Sequence, residues 1–328
     1  MGVEGRRSFG SVRADGPDWK QADPQAIERA LQHALSKPSG GWFVVGDSRS
    51  LLRRSRRAPV RLLVDDVALV AWAASAARLT IGPAACPHLG ADLAEGRVSN
   101  GCLVCPWHGL AIGPNATDAP ARSWLPLPVH DDGVLTWVQL EPTSPDATPA
   151  PLLGPRPSNS IAAVLRRDAT CEPRDIVANR LDPWHGVHLH PYAFAHLEVI
   201  DATDDAIDLA VGYRVTPRHV IDVRARFSCP DPRTIVMEIT DGEGAGSVVE
   251  THATPQRRSA YNTAARTAMI EATLATSDRP GFRHAQRGAV IARPIIRALA
   301  ARLWRDDIRY AERTYQLRSM RSSSTENR

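Results

Sequence analysis

Lysine is almost absent from this chain of 328 residues, so arginine carries nearly all of the positive charge, and 40 basic against 36 acidic side chains leave a formal net charge of +4. The charges are spread rather than striped. Neither an aromatic platform, a zinc finger nor a helix-turn-helix pattern accompanies the run Arg53-Arg54-Ser55-Arg56-Arg57 or the arginines of the last helical stretch, so nucleic acid is not expected as a partner. A solvated face or a docking patch for an acidic electron donor explains them as well. No apolar run reaches about eighteen residues, and Met1 to Lys20 lacks an apolar core, so neither a transmembrane segment nor a signal peptide is expected. Unpaired cysteines then favour a reducing, cytoplasmic setting. Flavin and nicotinamide fingerprints are also missing, so a separate protein must supply any such reductant.

Cysteine is scarce, at five, and two of the five stand in Cys86-Pro87-His88 and, after sixteen residues, Cys105-Pro106-Trp107-His108. Two thiolates and two imidazoles at that spacing suit one [2Fe-2S] cluster of the Rieske kind. In such a centre Cys holds one iron and His the other, which raises the potential above that of an all-Cys cluster. Each short loop delivers one sulfur and one nitrogen, and Gly90, Gly96 and Gly109 permit the tight turns. Cys102 forms a CxxC pair with Cys105, but no second pair exists to complete a zinc site. Cys102 is expected to be a small buried apolar residue at the end of a strand.

The stretch CPHLGADLAEGRVSNGCLVCPWHG resembles the Rieske non-haem iron oxygenases, in the alpha-subunit type of their oxygenase component. Respiratory Rieske proteins carry a further disulfide between the two loops; here Ala91 and Trp107 stand instead, which points to the oxygenase type. One departure is Leu110, where these oxygenases usually place an aromatic residue.

The same resemblance extends to Asn179-Arg180-Leu181-Asp182-Pro183-Trp184-His185-Gly186-Val187-His188-Leu189-His190-Pro191, which contains N-x-x-D-x-x-H-x-x-x-x-H. It implies that His185 and His190 are ligands of a mononuclear non-haem Fe(II), that Asp182 bridges them to the cluster of a neighbouring subunit, and that Asn179 lines the site. On an ideal helix Asp182 and His185 share a face, whereas His190 lies about 140° round from His185. A distorted turn is required; Gly186 is a candidate to supply it, and Pro191 stops the helix. His188 competes, since a His185/His188 pair would need no distortion.

Such an iron needs one carboxylate besides two histidines, and in the family it comes from a helix far downstream. From Arg293 to Arg318 the pattern is helical, with an apolar stripe of Ile296, Ala300, Leu303, then Asp307, then Tyr310 or Ala311, then Thr314. Asp307 occupies a core position where an unpaired carboxylate is costly, so a cation should meet it. A metal is one answer and a buried arginine the other. Asp306 falls with Arg302, Arg309 and Arg313 on the solvated side.

The chain divides into an N-terminal extension (1–39), a Rieske domain (40–140), a Pro-rich exposed linker (141–158), a catalytic domain (159–318) and a polar tail (319–328) expected to be disordered. Short β patterns fill the first half. Further strand-like runs lie at Ile161 to Leu165, Ala206 to Val215, Val220 to Phe227, Thr234 to Ile239 and Ser247 to His252, ahead of the long helix. That order predicts an α+β fold, and the resemblance names it a helix-grip (START-like) domain with a curved antiparallel sheet. By the same resemblance electrons come from NAD(P)H through a reductase, with or without a ferredoxin, to a homotrimer. That assembly uses O2 to hydroxylate, demethylate or desaturate a small hydrophobic molecule. An apolar run through Ile270 and Leu274 suggests the cavity for it. The rival reading is a Rieske electron-transfer or redox-sensing protein with a non-catalytic ligand-binding domain.

Overall fold

The computed structural model describes residues 22–75, 78–113, 119–256 and 264–326. Residues 1–21, on which the reading of Met1 to Lys20 falls, and residues 327–328 of the tail lie outside that set.

Helix α1 (Pro24–Leu35) is capped by Asp23, whose side chain accepts from the Gln25 amide, with proline in its first turn. Its buried Ala30, Leu31 and Ala34 pack with Val177, Leu209 and Ile235, and Glu28 pairs with Arg174 at 2.9 Å. The end of the N-terminal extension is thus a wall of the second domain.

The first domain runs β1 (Trp42–Asp47), α2 (Ser48–Ser55), β2 (Val60–Val64), β3 (Val67–Ala73), β4 (Leu79–Pro83), β5 (Arg97–Ser99), β6 (Cys102–Val104), β7 (Ala111–Ile112), α3 (Ala119–Arg122), β8 (Val129–Asp131) and β9 (Leu135–Gln139). These strands make three small antiparallel sheets, β1-β9-β8, β2-β3-β4 and β5-β6-β7. The two loops that leave β4 and β6 carry the cysteine-histidine pairs. Beneath them Trp72 and Trp124 meet at 5.3 Å between ring centroids. Trp124 lies across Gly82, where a Cβ would come within 2.4 Å of the indole, so only glycine leaves it room.

The second domain runs β10 (Ile161–Ala169), α4 (Pro173–Arg180), α5 (His185–Leu189), β11 (Phe194–Ala202), β12 (Ala206–Thr216), β13 (His219–Asp231), β14 (Thr234–Gly242), β15 (Val248–Gln256), β16 (Arg266–Ala275), α6 (Phe282–Arg287) and α7 (Ala289–Glu326). Its strands form one seven-stranded antiparallel sheet, ordered β10-β16-β15-β14-β13-β12-β11. Helix α7 buries Ala300, Trp304 and Ala311 among Leu165, Ile176 and Met269. The buried stripe therefore passes through Trp304 rather than Leu303, and Thr314 is exposed. The helix also continues to Glu326, through most of the segment expected to be a disordered tail.

Strand β16 explains why a long apolar run need not mark a cavity. Successive side chains of a strand face opposite ways, and both faces of β16 are covered. Ala268, Ile270, Ala272 and Leu274 pack against Trp42, Val44, Leu135 and Trp137 of the first domain. Glu271, Thr273 and Ala275 face the cavity instead. The Pro-rich stretch 141–158 is likewise no free spacer. Trp42 Nε1 and Gln139 Nε2 both donate to the Thr148 carbonyl at 3.0 Å, and Arg156 bridges Asp132 (2.8 Å) to Glu250 (2.5 Å) across the domain joint. Burial alone would raise Glu250, but Arg156 and His252 push it down to about 2.

Candidate metal centres

The two cysteine-histidine loops have the same backbone. Cys86 N donates to Ala91 O at 2.8 Å and Gly90 N to Cys86 O at 2.8 Å; Cys105 N donates to Leu110 O at 2.9 Å and Gly109 N to Cys105 O at 3.1 Å. Gly90 and Gly109 sit at φ +77° and +76°, a region that favours glycine. The thiols of Cys86 and Cys105 are buried, whereas His88 and His108 are exposed. The two imidazoles stand 5.1 Å apart between centroids. Burial, with the neighbouring Cys105 thiol, pushes the Cys86 thiol up, so Cys86 is disfavoured as a free thiolate and suits a metal that takes the charge. Two sulfurs inside and two nitrogens outside is the donor set a [2Fe-2S] Rieske cluster needs. Cys102 is half-buried against Gly113 rather than fully buried, and Leu110 packs at the edge of the same core.

In the second domain the helix breaks just ahead of the two histidines. Helix α4 ends at Arg180, residues 181–184 turn, and α5 restarts at His185. His190 caps α5 in a non-helical conformation, φ −123° and ψ 51°. The distortion falls there and not at Gly186, which stays helical against Leu197 and Phe194. As a result His190 turns inward to 2% exposure, while His188 remains exposed. One donor atom from each of His185, His190 and Asp307 lies within 4.8 Å of the others; His188 is not among them. Asp307 Oδ1 stands 2.8 Å from His190 Nε2 and 3.2 Å from His185 Nε2.

The surrounding residues hold this trio in place. His190 Nδ1 donates to the Tyr192 hydroxyl at 3.2 Å, and Tyr192 donates to Asp306 at 2.8 Å, leaving Nε2 toward Asp307. Asp306 is therefore engaged with the site through Tyr192 rather than with the outer arginines alone, and Arg302 stacks on the Tyr192 ring at 3.8 Å. Tyr310 stacks on His185 at 5.3 Å and donates to Asp182 Oδ2 at 3.0 Å. Asp182 Oδ2 lies 3.8 Å from His185 Nδ1, and Asn179 Nδ2 reaches Asp307 Oδ1 at 3.4 Å. Tyr192 and Tyr310 carried no sequence signal beyond lying near the motif and on the stripe.

Electrostatics and satisfaction agree with a cation here. Burial alone would lower His185, but Asp182 and Asp307 push it up to about 9. Burial alone would raise Asp307, yet the two imidazoles hold its carboxyl far below the usual range. A proton shared among these groups occupies the place where a divalent metal would compete. Buried Asn179 Oδ1, Asp182 Oδ1 and His185 Nδ1 have no hydrogen-bond partner among the described residues. No arginine pairs with Asp307 among those residues, so the alternative of a buried Arg–Asp bridge is not what the structure contains. The trio opens onto a cavity of about 330 Å3 whose wall includes Phe194, Leu197, Leu209, Val211 and Leu303.

Comparisons with known proteins place both halves. A model of the family described as Domain of unknown function (DUF5914) matches residues 143–322, and the Rieske [2Fe-2S] domain model matches residues 41–125. Aminopyrrolnitrin oxygenase PrnD of Pseudomonas fluorescens is 31% identical over 88 residues, 27% of this chain and 23% of that protein. The oxygenase component of 3-ketosteroid-9-alpha-monooxygenase of Rhodococcus rhodochrous is 28% identical over 117 residues, 32% of this chain and 30% of the relative. The matched segments thus span less than a third of these curated relatives. Dicamba monooxygenase bound to dicamba shares the fold, with a TM-score of 0.62 over 88% of this chain and 90% of that one at 16% identity. Among the described residues no helix is long and apolar enough to cross a membrane.

Proposed function

We propose that this chain, which belongs to the DUF5914 family over residues 143–322 and carries a Rieske [2Fe-2S] domain over residues 41–125, is the oxygenase component of a multicomponent Rieske non-haem iron system. Cys86, His88, Cys105 and His108 hold the [2Fe-2S] cluster. His185, His190 and Asp307 hold Fe(II), with Asp182 as the link between the two centres and Asn179 as a lining residue. When bound, the cluster supplies single electrons and the iron an O2-activating centre with open positions. O2, two electrons and two protons then convert a substrate C–H to C–OH with release of water, or lead on to demethylation or desaturation. The electrons come from NAD(P)H through a separate reductase, with or without a ferredoxin.

The protein's own groups have defined tasks in this reading. Apolar side chains around the cavity exclude water, Tyr192 fixes the His190 ring, and Tyr310 keeps Asp182 beside His185. The exposed rings of His88 and His108 are available to a second copy, which supports a homotrimer in which the cluster of one subunit serves the iron of the next. The observation that carries the proposal is the convergence of His185, His190 and Asp307 on one point at the cavity end. It is tested by metal analysis of two adjacent variants. Asp307→Ala loses the mononuclear iron and keeps the cluster, while Asp306→Ala, which removes only the acceptor behind Tyr192, keeps the cluster and weakens the iron by about tenfold to a hundredfold without abolishing it; the reverse result would move the ligand by one residue, and no change in either would remove the site.

A further inference from the structure

The cavity is not uniformly apolar. Beyond the end that holds His185, His190 and Asp307, the strongest polar groups on its wall are Arg180, Tyr213 and Glu271. A hydrocarbon guest would leave them facing nothing, which a buried site tolerates poorly.

Arg180 Nε and the Tyr213 hydroxyl are donors without an oxygen acceptor among the described residues. The Arg180 guanidinium lies 5.3 Å from the Phe227 ring centroid and 5.8 Å from that of Trp304. Its Nε is buried with no hydrogen-bond partner among the described residues. The Tyr213 hydroxyl reaches the Met237 sulfur at 3.5 Å, a weak acceptor. Glu271 Oε2 accepts from Trp304 Nε1 at 2.6 Å, and no hydrogen bond joins the Glu271 carboxyl to Arg180 or Tyr213 among the described residues. Burial raises Glu271 above the usual carboxylate range while Arg180 pulls the other way. Arg180 acts on half-buried Tyr213 as well, so the three groups lie within electrostatic reach of one another. What Arg180 Nε and the Tyr213 hydroxyl lack is an oxygen acceptor at hydrogen-bond distance.

We propose that Arg180 and Tyr213 receive an anionic oxygen head, such as a carboxylate, on an otherwise apolar ligand whose body lies along Phe194, Leu197 and Val211. A guanidinium fork matches a carboxylate bidentately, and its planar face already rests on two aromatic rings. The class of ligand is therefore an amphiphilic acid rather than a neutral hydrocarbon. The word substrate for that ligand rests on the oxygenase reading; the binding claim does not.

The probes are anilinonaphthalene sulfonate and uncharged N-phenyl-1-naphthylamine, titrated by fluorescence into the purified full-length chain. The wild type binds the sulfonate more tightly. Arg180→Met weakens the sulfonate by about tenfold or more and leaves the neutral probe unchanged, Arg180→Lys recovers part of the loss, and Tyr213→Phe costs the sulfonate about threefold. Equal weakening of both probes would make Arg180 merely structural, and no change, or no binding to the wild type, would equally overturn the proposal. Iron and sulfide counted on the same samples separate the two readings. Charge-selective binding without a mononuclear iron keeps this inference and sinks the oxygenase, whereas a mononuclear iron without charge selectivity does the opposite.

Discussion

The two cluster loops of the first domain repeat one another hydrogen bond for hydrogen bond, each setting its own cysteine inside and its own histidine outside. The His185, His190 and Asp307 end of the second domain has no such internal repeat. There one histidine starts a helix, another caps it, and the carboxylate arrives from α7, more than a hundred residues later. Local sequence builds the first site, and tertiary packing builds the second. The exposed imidazoles of the first face outward, whereas His185, His190 and Asp307 stand at the end of a cavity.

The largest effect expected from this contrast comes from Cys105→Ser, which removes the cluster altogether while the mononuclear iron stays. Acid-labile sulfide falls to zero and iron to about one per chain; loss of all iron would show that the second site depends on the first. Next, Asp182→Ala leaves both metals bound but lowers turnover by about a hundredfold, as removal of a residue that positions ligands does. A fully active variant would end its role as the link. Arg156→Met then probes the joint between the domains. Leaving buried Glu250 with His252 as its one remaining partner costs about 3 kcal/mol, read as one lowered transition in denaturant, whereas two separate transitions would mean the domains fold independently.

The smallest effect is a pH dependence confined to the second site. In the metal-free chain burial opposes, but Asp182 and Asp307 push, His185 up to about 9, above an unfolded value of about 6.5. Its stabilisation is complete below about pH 6.5 and is lost as pH rises through about 9. Thermal melts of the chelated protein therefore fall across that window, while Fe(II) binding, which displaces the proton, tightens. A melting temperature that rises over the same window would contradict the assignment.

The legibility of each region follows the same division. Cys86, His88, Cys105 and His108 could be named because their spacing alone fixes the loop, and Asp307 because a carboxylate interrupts an apolar stripe. The break that aims His190 was misplaced at Gly186, since a cap conformation depends on what packs around it. Ile270 and Leu274 were misassigned to the cavity because a strand covered on both faces shows no alternation to read. Helix α1 was legible and went unassigned, since Ile27, Ala30, Leu31, Ala34 and Leu35 repeat at helical spacing behind Asp23 and Pro24. Arg156 looked like part of an exposed linker, as nothing local reveals Asp132 and Glu250. The tail looked disordered by composition, yet it extends α7.

The central claim is that one chain holds a cluster and a separate iron. Iron and acid-labile sulfide per chain on anaerobically purified protein, with the electron paramagnetic resonance spectrum of the reduced form, tests it most directly. About three irons and two sulfides with a Rieske signal are predicted; two irons and two sulfides, unchanged by added ferrous iron, would contradict it.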